Sequence, residues 1–338
     1  MNSDNLKLTW GTLSKYRSQI YGFTIIWIVL FHIWESFSKY ITYNWVSVNF
    51  IKRGNMGVDI FLLLSGISLY YSMKNKPEQT TKEFYKKRFI PLIKIYTLVC
   101  IPFFILMRVT NNYSFEELLK QLFFMNKNVS SFWFLLVIAI CYLIYPLMYK
   151  LIQGSKKGYI YVGIVLYTII LIIFMTVNMD GYKYYEILLS RIPIFLIGST
   201  LGDLVYENKE VSVKIILGSL LVVILYGPVN LLFSKITHIN YYMPLIRRYE
   251  LGIQGFSFVI LFVIIIQYLT ESRSYIFLGK IGKITLEIYV VHIILRDIFL
   301  NVMKISVSTR PQILVFSLFF VPTSLLLGKY LSRVLDRI

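Results

Sequence analysis

The sequence contains few of the residues from which most soluble catalytic and metal sites are built. Among 338 residues there are two cysteines and three histidines. Cys100 and Cys141 both fall within long apolar runs, so the sequence indicates neither a disulfide framework nor a metal-ligand spacing. It also lacks a glycine-rich phosphate loop, the sharp turn that presents a nucleophilic serine, and tandem repeats. We therefore expect no bound metal, and the common nucleotide-binding, serine hydrolase and repeat classes are excluded.

Long polar stretches are also missing. The longest, 38–56, 108–130 and 234–250, are each too short to enclose a core of their own. Hydrophobic residues make up 57% of the chain and the mean hydropathy is +0.65, whereas roughly half is usual for soluble domains. The sequence therefore predicts one membrane-embedded domain over residues 1–338.

Ten apolar runs are long enough to cross about 30 Å of hydrocarbon. We predict an all-α, polytopic transmembrane bundle of about ten spans. The run at 276–299 contains Lys280, Lys283, Glu287 and His292, so we expect it to face protein or water. The predicted spans are 20–37, 57–73, 90–107, 131–149, 158–178, 187–206, 213–233, 251–269, 276–299 and 312–331.

Acidic residues are scarce, with 17 against 35 basic ones and a net charge of +18. If residues 1–19, 74–94, 150–157, 207–214, 271–283 and the tail after 328 share one side, that side holds 21 of the 35 basic residues. The more basic side should be cytoplasmic, which places both termini there. The first run then acts as an uncleaved signal anchor. Membrane lipids account for the positive charge, and no nucleic acid is implied.

His32 is the most informative residue, because it lies within the apolar run 20–37. Ionisable side chains inside a membrane usually bind ions, move protons or take part in chemistry. Glu35 follows three residues later and lies within reach on the same helical face. The alternative is that the two residues only join helices together.

Six strings, in this order, resemble the acyltransferase-3 family of integral-membrane acyltransferases over nearly the whole chain. The resemblance implies transfer of an acyl group, commonly acetyl from acetyl-coenzyme A, to a hydroxyl of an extracytoplasmic glycan, lipid-linked sugar or small molecule. We accordingly expect a multi-pass protein of the cell membrane, namely of the cytoplasmic membrane of a bacterium. The strings are GFTIIWIVLFH ending at His32, GVDIFLLLSG at 57–66, EFYKKRF at 83–89, SFWFLLVIAICYLIYP at 131–146, RIPIFLIG at 191–198 and GKITLEIYVVHIIL at 282–295.

Three residues are predicted to be catalytic: His32, Glu35 and Asp59. His32 lies twelve residues after Ile20, about 18 Å along the helix axis, where a neutral imidazole could take a proton from a hydroxyl. Glu35 could accept the other ring N–H and fix the tautomer. Asp59 could bind acceptor hydroxyls or orient the base; alternatively, it is only favoured by the N-terminal end of its helix.

Coenzyme A is predicted to bind on the cytoplasmic side through Arg17, Lys87 and Arg88. Arg88 and the neighbouring lysines could hold its phosphates by charge-assisted hydrogen bonds. The alternative is that these cations only set the topology. The resembled family places an arginine eleven residues before the histidine, where this chain has Tyr21. Arg17, one turn earlier, could replace it. The family has a second arginine three residues after the one that Arg88 matches, and this chain has Pro91 at that position.

The predicted substrate-binding residues are Trp133, Arg191 and His292. Arg191 could contact the acceptor or an acyl oxygen, and His292 could face His32 across a cavity. Their alternatives are an interfacial tryptophan, a snorkelling arginine and an interhelical histidine.

Two other functions fit part of the sequence. Buried His, Glu and Asp residues in ten helices also describe proton-coupled transporters, although the two halves show no matching broken helices. The missing arginine is also compatible with an inactive scaffold in an envelope-assembly complex. The sequence indicates no oligomeric state and no particular acceptor.

Overall fold

The computed structural model describes residues 8–41, 46–125, 132–234, 243–270 and 272–338. Within these ranges the protein is helical, with a single isolated bridge between Thr9 and Glu210 and no strand. The predicted all-α class is confirmed. The helices of eight residues or more are α1 (Arg17–Phe37), α2 (Gly57–Lys74), α3 (Thr81–Ile95), α4 (Ile101–Asn111), α5 (Phe115–Leu122), α6 (Trp133–Gln153), α7 (Lys157–Val177), α8 (Met179–Leu189), α9 (Ile192–Tyr206), α10 (Val213–Ser234), α11 (Met243–Tyr268), α12 (Arg273–Ile281), α13 (Thr285–Asp297) and α14 (Arg310–Leu335).

Eight helical segments in the described ranges are long and apolar enough to cross a membrane, so the chain is a multi-pass membrane protein. A ninth, Val213–Val229, is apolar but shorter. The third segment begins nine residues before the predicted start at 90, because a capping box formed by Thr80 and Glu83 starts α3 there. The eight are Arg17–Tyr40, Val48–Lys74, Thr81–Asn111, Trp133–Gln153, Lys157–Val177, Tyr185–Tyr206, Pro244–Tyr268 and Arg310–Leu335.

The predicted continuous span at 276–299 is wrong. α12 ends at Ile281 and α13 begins at Thr285. At the break, a Cβ on Gly282 would lie 1.7 Å from the carbonyl oxygen of Ser18. The backbones of α1 and the 282–284 turn therefore touch, an approach that only glycine permits. Hydropathy alone cannot detect this contact.

The packing of α2 against α9 is the most extensive between any two described helices. A Cβ on Gly66 would lie 2.4 Å from the carbonyl oxygen of Phe195, and one on Gly198 would lie 2.1 Å from that of Leu63. Gly66 and Gly198 thus form a small-residue packing surface between the two helices. Ser65 faces the other way, into a cavity described below.

Gly198→Val is expected to destabilise the protein by about 1–3 kcal/mol or more, because the added side chain collides with backbone that cannot move aside. Gly163→Val in α7 is a matched control, since a Cβ there meets no atom within 4 Å. Thermal unfolding in detergent should show a lower midpoint for Gly198→Val alone. Equal midpoints for the two variants would contradict the tight α2–α9 contact.

Three segments assigned to one side by their charge lie at one end of the bundle. Leu8 and Trp10 exchange backbone hydrogen bonds with Val211 and Lys209, at 2.9 and 2.8 Å. Gly282 lies against the start of α1. The shared side of 1–19, 207–214 and 271–283 is thereby supported. That this end is cytoplasmic stays a prediction.

Candidate functional site

Two cavities lie along one face of α1. Arg17, Tyr21, Ile28, His32 and Glu35 follow one another at steps of three, four or seven residues, the spacing that keeps side chains on one helical face. Arg17 and Tyr21 line the first cavity, His32 and Glu35 line the second, and Ile28 lines both. One helix face therefore runs past both cavities.

We call the second cavity the histidine cavity. Its volume of about 270 Å³ is near the lower end of small-molecule sites, which range over roughly 300–1,000 Å³. It brings together His32, Glu35 and Trp133 from the predicted set. Its lining comprises Ile28, Phe31, His32, Glu35, Gly54, Asn55, Val58, Trp133, Ile187, Arg248, Tyr289, Ile293 and Arg296.

The His32 ring is held by a carboxylate. Its Nδ1 lies 3.1 Å from Oε2 of Glu35, and their positions three residues apart on α1 allow this contact. When Nδ1 donates to Glu35, the proton on the ring is at Nδ1 and the Nε2 lone pair is available to a substrate hydroxyl. This is the geometry that the predicted pairing requires; the catalytic roles of both residues stay predictions.

A second charged group approaches the same ring atom. Nη1 of Arg296 lies 3.4 Å from Nδ1 of His32, while Nε and Nη2 of Arg296 each lie 2.9 Å from Oδ1 of Asp297. An Nδ1–H that donates to Glu35 cannot also accept from Arg296. The shorter contact favours Glu35, so Asp297 fixes Arg296 beside the imidazole with Nη1 left to bind another acceptor.

His292 faces His32, as the sequence hypothesis proposed, with ring centroids 5.3 Å apart. It is fully buried, and its Nδ1 donates to the carbonyl oxygen of Ile288 at 3.0 Å. Its Nε2 has no hydrogen-bond partner. His292 does not line the histidine cavity, so the contact with substrate predicted for it would need a rearrangement.

Asp59 and Arg191 form a buried ion pair behind the cavity wall. Nη1 of Arg191 lies 3.7 Å from Oδ2 of Asp59, and Nη2 donates to Oδ1 of Asn55 at 2.8 Å. The guanidinium carbon lies 5.0 Å from the Trp133 ring centroid. Asn55 and Trp133 line the cavity, whereas Asp59 and Arg191 do not. This geometry gives the pair a supporting position, while Glu35 contacts His32.

The break between α8 and α9 explains why Arg191 can lie inside the protein. Arg191 directly precedes α9, whose second residue is Pro193, and the hydroxyl of Ser190 donates back to the carbonyl oxygen of Glu186 at 2.5 Å. Glu186 also accepts from Nε of Arg248 at 2.6 Å. Arg248 lines the histidine cavity. The end of α8 therefore positions two arginines near the site.

We call the first cavity the basic cavity. It has a volume of about 520 Å³ and brings together all three cations predicted to bind coenzyme A, with Lys283 as a fourth. Its lining comprises Arg17, Ser18, Tyr21, Ile28, Val58, Phe61, Ser65, Ser68, Leu69, Ser72, Lys87, Arg88, Leu92, Phe134, Ile138, Tyr142, Gly282, Lys283, Thr285, Leu286 and Tyr289.

Arg88 is the cation most firmly held in the basic cavity. Its Nη2 donates to Oγ of Ser72 at 3.3 Å, and its buried Nε has no partner. A buried donor of this kind needs an acceptor. Lys86, two residues earlier, is exposed and does not line the cavity. The structure thus places Lys87 and Arg88 of the basic segment 86–88 in the cavity and Lys86 outside it.

Tyr21 occupies the same cavity as Arg17, one turn further along α1. Its hydroxyl lies 3.4 Å from Oγ of Ser65, and its ring lies 5.0 Å from that of Phe61. The shared face inferred for positions 17 and 21 is therefore present. That Arg17 replaces an arginine at Tyr21 stays a prediction.

Comparison with protein families identifies the kind of protein. The model of the acyltransferase-3 family, described as an acyltransferase domain, matches residues 22–329, which is nearly the whole chain. The chain belongs to the acyltransferase-3 family. It is a membrane-embedded acyltransferase, which favours the enzyme over the transporter and scaffold hypotheses. No curated protein and no solved structure matches it.

Sequence reasoning missed four residues that line the cavities of the acyltransferase. Arg296 lies one turn after His292 in an apolar helix, and an intramembrane arginine is itself a functional signal. Tyr289 lies on α13 and Lys283 lies in the turn before it. Hydropathy does not reveal that the helix is interrupted at this turn. Arg248 was assigned to a polar loop, although α11 begins at Met243.

Proposed function

We propose that this acyltransferase moves an acyl group, acetyl in the simplest case, from a cytoplasmic coenzyme A thioester to a hydroxyl of an extracytoplasmic polysaccharide or lipid-linked sugar. One observation supports this most strongly. A cation-lined cavity and a cavity containing a histidine–carboxylate pair lie along the same face of α1 and share three wall residues. Donor and acceptor can therefore approach from opposite ends.

The basic cavity suits the donor by its charge and its hydroxyl groups. Arg17, Lys87, Arg88 and Lys283 supply positive charge for the phosphates of coenzyme A. Ser65, which lies on α2 between Val58 and Ser72, and the other cavity hydroxyls offer partners to the amides of the pantetheine arm. With the phosphates at the cations, the thioester end is directed toward Ile28 and the histidine cavity.

The histidine cavity suits the transfer step. Nε2 of His32 removes the proton from the acceptor hydroxyl, and the oxygen attacks the thioester carbonyl carbon. The carbon–sulfur bond then breaks, and the proton passes from His32 to the departing thiolate sulfur, which leaves an ester and free coenzyme A. Glu35 holds the ring throughout, and Nη1 of Arg296 is available for the negative charge that develops on the carbonyl oxygen.

Arg88→Ala should weaken coenzyme A binding about tenfold or more, because a charge-assisted hydrogen bond contributes roughly 1.5–3 kcal/mol. Lys86→Ala is the matched control, since its side chain lies outside the cavity. Titration of the purified full chain with coenzyme A by calorimetry measures both. Equal, small effects would mean that the basic segment only sets topology.

A further inference from the structure

We propose that Tyr289, together with Ile28 and Val58, forms a gate between the basic cavity and the histidine cavity, and that Tyr289 determines which acyl groups pass. This inference rests on the proposed function, since it concerns the path of the acyl group between the two cavities. The gate would be an acyl-length filter within the protein.

The gate is one residue thick on each contributing helix. Among the described residues, Ile28 of α1, Val58 of α2 and Tyr289 of α13 are those that line both cavities. Their exposed fractions are 2%, 7% and 5%. Three buried side chains thus separate a cavity of about 520 Å³ from one of about 270 Å³.

Two of the three side chains are fixed. Ile28 and Val58 are β-branched, which restricts their first side-chain torsion within a helix. A Cβ added to Gly57 would lie 2.6 Å from Cγ1 of Ile28, so α1 and α2 are already in close contact at the gate. Neither side chain can withdraw without moving a helix.

Tyr289 is the largest of the three side chains. Its ring packs edge-on against the rings of Phe134 and His292, at centroid distances of 5.4 and 5.6 Å, so a change in its side-chain torsions can open the gate without moving a helix. It lies on α13, close after the turn at 282–284 that separates α12 from α13. Rotation of this one side chain would join the two cavities.

A buried nitrogen beside Tyr289, Nε2 of His292, supports a gate that opens. Nε2 of His292 is fully buried without a partner, while its Nδ1 is occupied by the carbonyl oxygen of Ile288. A permanently closed gate would leave this buried acceptor unsatisfied, which is unfavourable. When the Tyr289 ring moves aside, an amide N–H of the donor arm could satisfy it. His292 then binds the donor within the passage.

The space beside Tyr289 predicts acyl selectivity. When the donor arm fills the passage, the acyl chain beyond the thioester carbonyl lies in the histidine cavity of about 270 Å³, and each added methylene competes for that space with the Tyr289 ring in its wall. A smaller residue at 289 should therefore relax discrimination against longer chains. In apolar pockets one methylene changes kcat/KM by roughly 10–200-fold.

Chemical labelling tests the gate without relying on transfer. Both native cysteines are buried and free and would be removed by Cys100→Ala and Cys141→Ala. In this background Ile187→Cys reports on the histidine cavity and Ser72→Cys on the basic cavity. A membrane-impermeant thiol reagent is applied to sealed vesicles from the side on which Ser72→Cys reacts.

Tyr289→Ala should raise the labelling rate of Ile187→Cys from that side at least tenfold, while the rate at Ser72→Cys stays the same. Tyr289→Leu serves the same purpose if the alanine variant does not fold, and Tyr289→Phe should leave the gate closed. An Ile187→Cys rate unchanged by both Tyr289→Ala and Tyr289→Leu, in protein of normal Ser72→Cys reactivity, would overturn the gate.

Activity gives the second readout and separates the two proposals. Tyr289→Ala should raise the ratio of kcat/KM for butyryl- over acetyl-coenzyme A about tenfold or more, whereas Tyr289→Phe should keep the wild-type ratio. An unchanged ratio in Tyr289→Ala would refute the filter. If wild-type protein transfers acetyl but labelling does not respond, the gate fails and the function stands. If labelling responds but wild-type protein transfers nothing, the proposed function fails.

Discussion

Replacement of His32 by alanine should lower acyl transfer about 10²–10⁴-fold, the usual effect of removing a positioned general base. The imidazole is partly exposed to the cavity, and Glu35 holds Nδ1 at 3.1 Å. No other described residue combines these features. Ester content of surface glycans, measured as acyl groups released by mild alkali from cells that express each variant, reports the loss.

Two controls give this prediction its specificity. His238→Ala removes a histidine that lies outside the described residues, in the polar stretch 234–250, and should leave ester content unchanged. Glu35→Gln keeps the size of the carboxylate side chain but weakens the hold on Nδ1, and should cause a smaller loss than His32→Ala. Wild-type ester content in His32→Ala cells with normal protein levels would refute the assignment of His32 as base.

Arg296→Met should lower the transfer rate about 10²–10³-fold, which is typical of losing a donor to a transition-state oxyanion. Asp297 engages Nε and Nη2, so Nη1 is already aimed into the histidine cavity beside His32. No ordering of a long side chain is then needed during the reaction. The rate at saturating donor, kcat, should fall more than the affinity for coenzyme A.

The Arg296 variants also distinguish charge from geometry. Arg296→Lys keeps the charge but cannot bind Asp297 through two nitrogens while extending a third, so it should recover only part of the rate. Lys183→Met changes an exposed cation on α8 and should have no effect. If Arg296→Met keeps full kcat, the guanidinium has no part in stabilising the oxyanion.

The local part of the site could be predicted from the sequence. His32 and Glu35 lie three residues apart on one helix, so their contact follows from helical geometry alone. The grouping of Arg17 with Tyr21 follows from the same periodicity. The approach of His292 to His32 was also anticipated, because both are ionisable residues within apolar runs.

Contacts between distant parts of the chain could not be predicted in this way. Arg296 and His32 are separated by 264 positions, and the sequence indicated roles for Asp59 and Arg191 without pairing them. The pairing depends on the break that places Arg191 between α8 and α9. Apolar runs indicate how much chain can cross a membrane, but they are insensitive to such breaks. The break at Gly282 escaped prediction for the same reason.

The most direct test of the account is the passage of an acyl group from one side of the membrane to the other. Sealed inside-out vesicles from cells that make the acceptor glycan are supplied externally with acetyl-coenzyme A labelled in its acetyl group. The account predicts hydroxylamine-labile label on glycan in the vesicle lumen, protected from added esterase until detergent is present, and its loss in His32→Ala vesicles. Label that stays on the outer face, or that accumulates equally in His32→Ala vesicles, would contradict transfer through the two cavities.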